Sequence, residues 1–346
     1  MSDTTKPADE GRVPQRQQPA ASRLDRFGGH ALEHLKASAP ILAVLIVIFA
    51  AIIYLNPAFL DPPVFLAFLR RAAPLMILAA GQVFVIVSGG FDLSVGSLIT
   101  VTVVVAAAIT EGDPDALIPV MMLVLLIGVL VGMVNGVVTT MLKVPSIITT
   151  LGMLLILRGA VFYWTGGSPT GALADNFRQF GREAFDLPVI GQLPYAAIIV
   201  IAVAWIATRL LHRTAFGHQL LATGGGARAA QLTGVNITRV RIIAFVLSAL
   251  SAVIAGILLA GFAGVSAQVG QGYEFRAISA VVLGGAAIGG GRGSVVATVI
   301  GALTLEALFM LLNLLGLPQP LRESVQGVII IGAVVYAGLR LQRSGG

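Results

Sequence analysis

The sequence predicts an all-α integral membrane protein with about ten transmembrane helices, some of them broken, and with both termini in the cytoplasm. Only 11% of the 346 residues are charged, whereas soluble domains carry roughly 25%. The mean hydropathy is +0.93, and the apolar residues are gathered in long uncharged runs separated by short polar connections. These observations exclude an ordinary soluble protein and indicate helices that cross a lipid bilayer.

The chain begins with a polar, basic segment, residues 1–37, that contains Pro14, Pro19 and a Gln-rich stretch. Its composition predicts a mostly disordered cytoplasmic tail, because it offers little apolar surface to bury. The segment is too long and too polar for a secretory signal peptide. We expect the membrane domain at residues 38–340 and a second short cytoplasmic tail at 341–346.

Ten uncharged apolar runs follow the first tail. Several are shorter than the roughly 20 residues that a full span needs, which favours tilted or broken helices. The runs are Ala39–Leu55, Ala72–Phe91, Leu93–Thr110, Leu117–Gly136, Val144–Leu157, Pro194–Thr208, Ile242–Phe262, Ala277–Gly291, Ser294–Leu312 and Ser324–Leu339.

The distribution of basic residues predicts the orientation of these runs. With the N-terminus inside, fifteen of the 22 Lys and Arg residues fall on the cytoplasmic side, and the other seven lie outside or near the membrane. Cytoplasmic loops normally carry this excess. The largest external connection is then residues 164–193, a periplasmic loop, and the polar loop 212–241 lies inside the cell.

The loop 212–241 contains a short predicted helix, Ala227–Thr233, with three glycines before it and Gly234 after it. Composition alone favours an ordinary solvated loop. A short helix held just outside the membrane could, however, also dock into a groove of another protein.

Glycines mark two further features. Gly128, Gly132 and Gly136 share one helix face, and Gly285 and Gly289 repeat the spacing once. This small-xxx-small pattern predicts close helix packing. The segments 88–100 and 288–301 both restart an apolar run after a Gly-rich break, as the two halves of many transporters do, although chance similarity is an equally good explanation.

Several polar residues interrupt the apolar runs. Burying the charged carboxylate of Asp92 at membrane depth costs free energy, so this residue should face a cavity, a partner or the interface. It lies in a turn where Ser94 could cap the next helix, so both a structural role and a role in a pathway or gate stay open. The remaining residues, which are either interhelical hydrogen-bonding groups or pathway candidates, are Gln82, Asn135 and Glu306.

Motifs of catalysis are missing from the sequence. It contains no Cys, and its four His residues show no metal-binding spacing. The Gly-rich stretch GGGRGS at 289–294 lacks the Lys of a nucleotide-binding P-loop. We therefore expect no catalytic residues, no cofactor and no metal in this chain, and energy for any pumping from a partner or an ion gradient.

The chain resembles the permease subunits of bacterial ABC importers of the ribose, xylose and galactose class, in the binding-protein-dependent transport family that also includes branched-chain amino acid permeases. The resemblance covers roughly residues 69–340. It rests on SGGFDLSVGS at 88–97, NGVVTTMLKVPSIITTLGM at 135–153, TGGSP at 165–169, TAFGHQLLATGGGARAAQLTGVN at 214–236, GQGYEFRAISAVVLGGAAIGGGRGS at 270–294 and QGVIIIGAVV at 326–335.

The resemblance implies a multi-pass protein of the bacterial inner membrane that moves a monosaccharide. A second permease chain, identical or different, would complete the pathway, a periplasmic binding protein would deliver the sugar, and a separate ABC ATPase would use ATP and Mg. The loop before the later spans would carry the coupling helix that docks on this ATPase. The matching positions are Thr214, Gly217, Ala222, Gly224, Ala229, Ala230, Gly234 and Asn236.

Departures from the family pattern leave the cargo open. Arg276 follows the GYE triplet where an acidic residue is common, and Gln82 replaces an apolar residue. Tyr273 and Glu274 are candidates for the binding-protein contact or the pathway mouth, because they are polar at a membrane boundary. Other cargoes are a nucleoside, a furanose signal or a branched-chain amino acid. An ion-coupled secondary transporter that uses Asp92 or Glu306 is a further alternative, and a membrane-embedded enzyme is the weakest one.

Overall fold

The computed structural model describes residues 23–187 and 191–344. Within them, helices form nearly all of the regular structure, and two short 3-10 turns precede α2 and α4. The elements are α1 (Arg23–Leu55), α2 (Pro62–Val87), α3 (Val95–Thr110), α4 (Leu117–Thr140), α5 (Ser146–Thr165), α6 (Asp175–Arg182), β1 (Ala184–Leu187), β2 (Gly191–Pro194), α7 (Tyr195–Arg213), α8 (Ala215–Gly225), α9 (Ala227–Leu232), α10 (Ile237–Ala260), α11 (Tyr273–Leu283), α12 (Val295–Leu314) and α13 (Gln319–Ser344).

Helices long and apolar enough to cross a membrane confirm the all-α membrane class. In the described residues there are six, within α2, α4, α5, α7, α10 and α12, and two shorter apolar helices at Ala39–Leu55 and Val95–Thr110. The two other predicted runs fall on α11 and α13. The count of ten spans therefore stays a prediction.

The two ends of the chain differ from the predicted tails where the structure describes them. α1 begins at Arg23 rather than near Ala39, and it continues through residues assigned to the N-terminal tail. Its first turns contain Leu, Ala, Glu and Lys, which favour helix even outside a membrane. Residues 1–22 lie outside the described residues. At the other end α13 extends to Ser344, so only 345 and 346 of the predicted tail 341–346 lie outside the description.

α2 is the central helix. It begins with Pro62 and Pro63, which suit the first turn of a helix because the amide hydrogens there have no intrahelical partner. Every residue from Ala72 to Val87 is buried, since α7, α10, α11 and α12 all pack around it. A helix that is apolar on all sides is expected in such a position.

The glycine stripe of α4 faces α10. A Cβ added at Gly132 would lie 2.6 Å from the Cα of Val246, and one at Gly136 would lie 2.7 Å from the Cα of Ile242. One at Gly128 would meet the side chain of Val253. The two backbones thus approach as closely as the small-xxx-small pattern predicts.

The second glycine pair does not pack helices. The predicted run Ala277–Gly291 is helical only as far as Leu283, and Gly285 and Gly289 lie in the following loop, where an added Cβ would meet nothing within 4 Å. Gly285 has a positive φ, which stops the helix. The predicted packing role of this pair is wrong. Instead, Gly284 brings α11 to within 2.6 Å of the Cα of Thr298, measured from an added Cβ.

The predicted external connection, residues 164–193, contains more structure than the sequence indicates. α6 packs its buried Phe177 and Gly181 toward the end of α10, and β1 pairs with β2 in an antiparallel hairpin. The amide of Gly112, just after α3, donates to the carbonyl of Ala172 at 2.8 Å. The ends of α3 and α10 and this connection therefore form one end of the bundle.

Candidate functional site: a helical insert and a buried polar cluster

A helical insert, residues 214–236, joins α7 to α10. The sequence predicts one short helix here, and the structure contains two, α8 and α9, of which α9 (Ala227–Leu232) matches the predicted Ala227–Thr233 within one residue. α8 was missed, because its Ala-, Leu- and Gly-containing sequence gives no clear apolar period. Thr214 caps α8 by accepting a hydrogen bond from the amide of Gly217 at 3.2 Å.

The eight family-matched positions of the helical insert have two kinds of surroundings. Three of them face the rest of the chain: Gly217 lies against the carbonyls at the end of α7, Gly224 lies against Val87, and Ala230 is only 4% exposed. Thr214 is half-buried, whereas the exposed positions are Ala222, Ala229, Gly234 and Asn236. Asn236 caps α10 by accepting from the amide of Arg239 at 3.0 Å.

The outward surface of α9 is small and partly apolar. Arg228, Ala229 and Gln231 are exposed, and Leu232 is 84% exposed. A leucine so fully exposed at the end of a six-residue helix gains nothing from intrachain burial. Leu232 was not among the predicted positions.

A buried polar cluster lies beside the turn between α2 and α3. Gln82 of α2 donates from Nε2 to the carbonyl of Asp92 at 3.1 Å and accepts from the hydroxyl of Ser248 of α10 at 3.1 Å. Oδ1 of Asp92 accepts from both the amide and the hydroxyl of Ser94, at 3.0 and 2.6 Å. Asn135 of α4 donates from Nδ2 to Oγ of Ser94 at 2.9 Å. All five side chains have zero exposed fraction.

Four predicted pathway candidates, Gln82, Asp92, Ser94 and Asn135, thus meet in one cluster. Ser94 occupies the N-cap position of α3, but its hydroxyl bonds Asp92 and not an amide of the helix, so the expected capping bond is absent and Asp92 is held by the turn instead. Ser248 was missed. The only signal for it is that it is one of two serines in a largely apolar run, and many helices tolerate such serines.

The cluster retains two oxygens without hydrogen-bond partners among the described residues, Oδ2 of Asp92 and Oδ1 of Asn135. Both are acceptors. Burying an acceptor without a donor is costly, and unsatisfied groups of this kind are rare in folded proteins. Packing α2, α4 and α10 together therefore buries two polar oxygens whose desolvation is not offset by hydrogen bonds.

The other pathway candidates lie elsewhere. Glu306 of α12 forms an ion pair with Arg276 of α11 at 3.8 Å, and the guanidinium of Arg276 lies over the rings of Tyr273 and Phe309. Arg276, Glu306 and Phe309 border a cleft of about 490 Å³. Further polar residues of this cleft are Arg71, Asn313, Gln319, Arg322 and Glu323. The structure does not join this group to the cluster around Asp92.

Glu274 is buried, with an exposed fraction of 6%, and its Oε2 has no hydrogen-bond partner among the described residues. Its carboxylate lies against Gly96 of α3, where an added Cβ would collide with Oε2. Together with Thr100 and Arg158, it lines a small cavity of about 30 Å³. Glu274 thus lies largely inside the bundle, and its predicted roles in the binding-protein contact and at the pathway mouth stay predictions.

These groups offer polar contacts rather than covalent chemistry. In the part of the chain that the structure describes, no three His, Asp or Glu residues are placed to hold a metal ion. The arrangement can hold helices together, expose a small docking surface and line a polar route.

Comparison with known proteins gives a consistent set of relatives. A family model described as branched-chain amino acid transport system / permease component matches residues 64–334. The ribose import permease protein of Escherichia coli strain K12 is 37% identical over 297 residues, which are 85% of this chain and 91% of the relative. The ribose import permease protein of Bacillus subtilis strain 168 is 37% identical over 301 residues, 86% of this chain and 91% of the relative.

A second type of relative is the autoinducer 2 import system permease protein of Yersinia pseudotuberculosis serotype O:1b, strain IP 31758. It is 32% identical over 300 residues, which are 86% of this chain and 83% of the relative. No solved structure matches the chain.

Proposed function

Because this chain belongs to the family of branched-chain amino acid transport system permease components, we propose that it lines the route by which a monosaccharide enters the cell. The chain is a multi-pass protein of the inner membrane and the permease subunit of an ABC importer. Its contribution is transport, and we assign the hydrolysis of ATP, with its Mg, to a separate ATPase subunit.

The choice of a monosaccharide is supported by the relatives named for ribose, which share 37% of residues with this chain over most of its length. The relative named for autoinducer 2, at 32% identity, favours a furanose signal as the second candidate cargo. Both cargoes need hydroxyl-binding partners along the route, which polar side chains such as those of the Arg276 cleft supply.

We further propose ten spans with both termini in the cytoplasm. The excess of Lys and Arg in the loops supports this orientation. It places the helical insert inside the cell, and the α6 segment with the β-hairpin outside, where a periplasmic binding protein would dock. A second permease chain, identical or different, would complete the route against helices such as α5, most of whose apolar surface is not covered by this chain.

The observation that carries the proposal is the exposed end of α9. Leu232, with 84% of its surface exposed, is the last residue of this short helix. In an importer permease such a helix is suited to insert into a groove of the ATPase, as amphipathic helices do in many complexes. Ala230, by contrast, faces inward and anchors α9.

The test is co-purification of the detergent-solubilised permease with its ATPase, using Leu232→Asp. A buried apolar anchor is often a dominant contributor to an interface, so we expect the affinity to fall about tenfold or more. The matched control is Leu315→Asp, which introduces the same change at a residue 54% exposed in the α12–α13 connection, on the proposed periplasmic side. This control should bind the ATPase as the unaltered protein does.

Two results would contradict the proposal. One is equal ATPase binding by Leu232→Asp and Leu315→Asp, which would place the docking surface elsewhere. The other is uptake of ribose into liposomes that contain the permease and an ion gradient but no ATPase, which would favour the ion-coupled alternative and direct attention to Asp92 and Glu306.

A further inference from the structure

The last residue of α2, Val87, and the next residue, Ser88, receive contacts from the helical insert and from α10. On one side, Gly224 near the end of α8 lies so close to Val87 that an added Cβ would collide with the Val87 carbonyl oxygen and with the amide nitrogen of Gly291. On the other side, the guanidinium of Arg241 in α10 donates from Nη2 to the carbonyl of Ser88 at 3.3 Å. The middle of the insert and the start of α10, which follows the insert, thus contact the same short stretch of backbone.

The loop after α11 joins the same point. The amide of Gly291 donates to the carbonyl of Val87 at 2.8 Å. A Cβ at Gly290 would lie 2.9 Å from the Cα of Gly224 and 2.9 Å from the amide nitrogen of Gly89. Backbones of three separate elements are therefore in direct contact, without intervening side chains. We call this contact the glycine joint (Val87–Gly89, Gly224, Gly290–Gly291).

One further contact ties α8 to α2. The rings of Phe84 and Phe216 stack, with their centroids 6.3 Å apart and an interplanar angle of 28°. Phe84 lies almost one helical turn before Val87. The start of α8, at Phe216, and its end, at Gly224, therefore both contact the last turn of α2. A displacement of α8 has to move this end of α2, because packed interiors leave little free space to absorb it.

Beyond the glycine joint the chain runs directly into the turn that holds the buried polar cluster. The amide of Phe91 donates to Oγ of Ser146 at 3.1 Å, and the hydroxyl of Thr150 donates to the carbonyl of Phe91 at 3.3 Å. Both partners belong to α5. Asp92, the next residue, bonds Ser94 and through it Asn135 of α4. The turn is consequently connected to α4 and to α5, and α5 is the candidate span with the smallest buried share among the described residues.

We propose that the glycine joint transmits movement of the helical insert to α5 through the turn at residues 90–94, and that Gly224 is the positioning residue that keeps the backbones of α8 and α2 in contact. The inference rests on the proposed docking of the insert on an ATPase. A side chain at position 224 would push α8 away from Val87. Two backbones in direct contact pass a displacement of α8 on to α2, because no flexible side chain lies between them to absorb it.

The chain offers a matched control one residue away. An added Cβ at Gly225 meets nothing within 4 Å, although Gly225 belongs to the same last turn of α8. Gly224→Ala and Gly225→Ala therefore make the same chemical change with opposite steric consequences. Both lie before the first residue of α9, whereas Leu232 is its last residue, so neither substitution alters the proposed docking residue.

The experiment uses the complex of the permease with its ATPase in lipid nanodiscs. Since the chain has no Cys, Ile147→Cys provides a single thiol for a nitroxide spin label on the exposed face of α5, next to Ser146. The electron paramagnetic resonance spectrum is recorded with and without ATP plus orthovanadate. The reference variant should show a nucleotide-dependent change. Gly225→Ala should retain this change, and Gly224→Ala should lose it while still binding the ATPase.

The outcomes separate the two proposals. If the reference variant does not bind the ATPase, the docking proposal fails. If it binds but its spectrum does not respond to nucleotide, or if Gly224→Ala responds as fully as Gly225→Ala, the glycine joint does not transmit the movement. Should Gly224→Ala fail to accumulate, Arg241→Met removes the bond to Ser88 without adding volume. It should reduce the spectral change, and an undiminished change would overturn the proposal.

Discussion

The turn after α2 and the loop after α11 are built alike but are stabilised differently. Each contains a glycine with nearly the same positive φ, +86° at Gly89 and +87° at Gly290. Each ends at a serine in the N-cap position of the next helix, Ser94 before α3 and Ser294 before α12. The weak sequence similarity of these segments thus corresponds to similar local structure at two places that touch.

Their polar residues behave differently. In the first turn the charged residue, Asp92, is completely buried, and Ser94 bonds it. In the second the charged residue, Arg292, is exposed, and Ser294 accepts a conventional capping bond from the amide of Ala297 at 3.4 Å. The first turn is enclosed by α2, α4 and α10, whereas the second lies at the edge of the bundle. The helices packed around such a turn, and not its local sequence pattern, decide whether its charged residue is buried and hydrogen-bonded or exposed to solvent.

The largest expected difference is between Asp92→Ala and Arg292→Ala. Removing the carboxylate leaves the amide and hydroxyl of Ser94 without their acceptor in a dry interior, which should lower the free energy of unfolding by about 3 kcal/mol. Arg292 is exposed, so its removal should change the same quantity by about 0.5 kcal/mol or less. Thermal unfolding of the detergent-solubilised proteins measures both, and equal changes would show that the two turns are equivalent.

A second difference concerns the two glycines with positive φ. Alanine at either position would adopt a left-handed backbone conformation, which costs about 1 kcal/mol. At Gly89 the added Cβ has only an ordinary contact, 3.7 Å from the carbonyl oxygen of Gly289, whereas at Gly290 it lies 2.9 Å from three backbone atoms. Gly290→Ala should therefore lower the unfolding free energy by about 2 kcal/mol or more.

The control for this comparison is Gly285→Ala, which has a φ of +80° and open space around its Cβ. It should behave as Gly89→Ala does. If all three alanine variants lose the same stability, backbone conformation alone explains the glycines, and the close approach at Gly290 contributes nothing.

The sequence predicted local features well where glycines or polar residues interrupt an apolar pattern. The limits of α9 follow from Gly226 and Gly234, and the stripe of Gly128, Gly132 and Gly136 does face another helix. The same reasoning failed at Gly285 and Gly289, because the spacing of glycines does not reveal whether the helix continues between them. There the positive φ of Gly285 ends the pattern.

The sequence could not predict which polar residues meet. Gln82, Asp92, Asn135 and Ser248 each interrupt or border a separate apolar run, and their bonds span up to 166 residues along the chain. Such partners are set by the order in which helices pack, which periodicity does not encode. The inward orientation of Ala230 was also out of reach, because a six-residue helix of Ala, Arg, Gln and Leu has no pronounced apolar face.

The smallest expected effect lies at the serine before α12. Ser294→Ala removes one capping bond and should cost about 1 kcal/mol. Ser294→Asp should recover most of this loss, because an aspartate at the N-cap accepts the same amide. At position 94 the equivalent substitution should not be tolerated, because the new carboxylate would lie beside that of Asp92 in the interior. Comparing the unfolding temperatures of Ser94→Asp and Ser294→Asp tests this directly. Similar values for the two variants would mean that Ser94 acts as an ordinary cap and that the buried bond to Asp92 does not stabilise the turn.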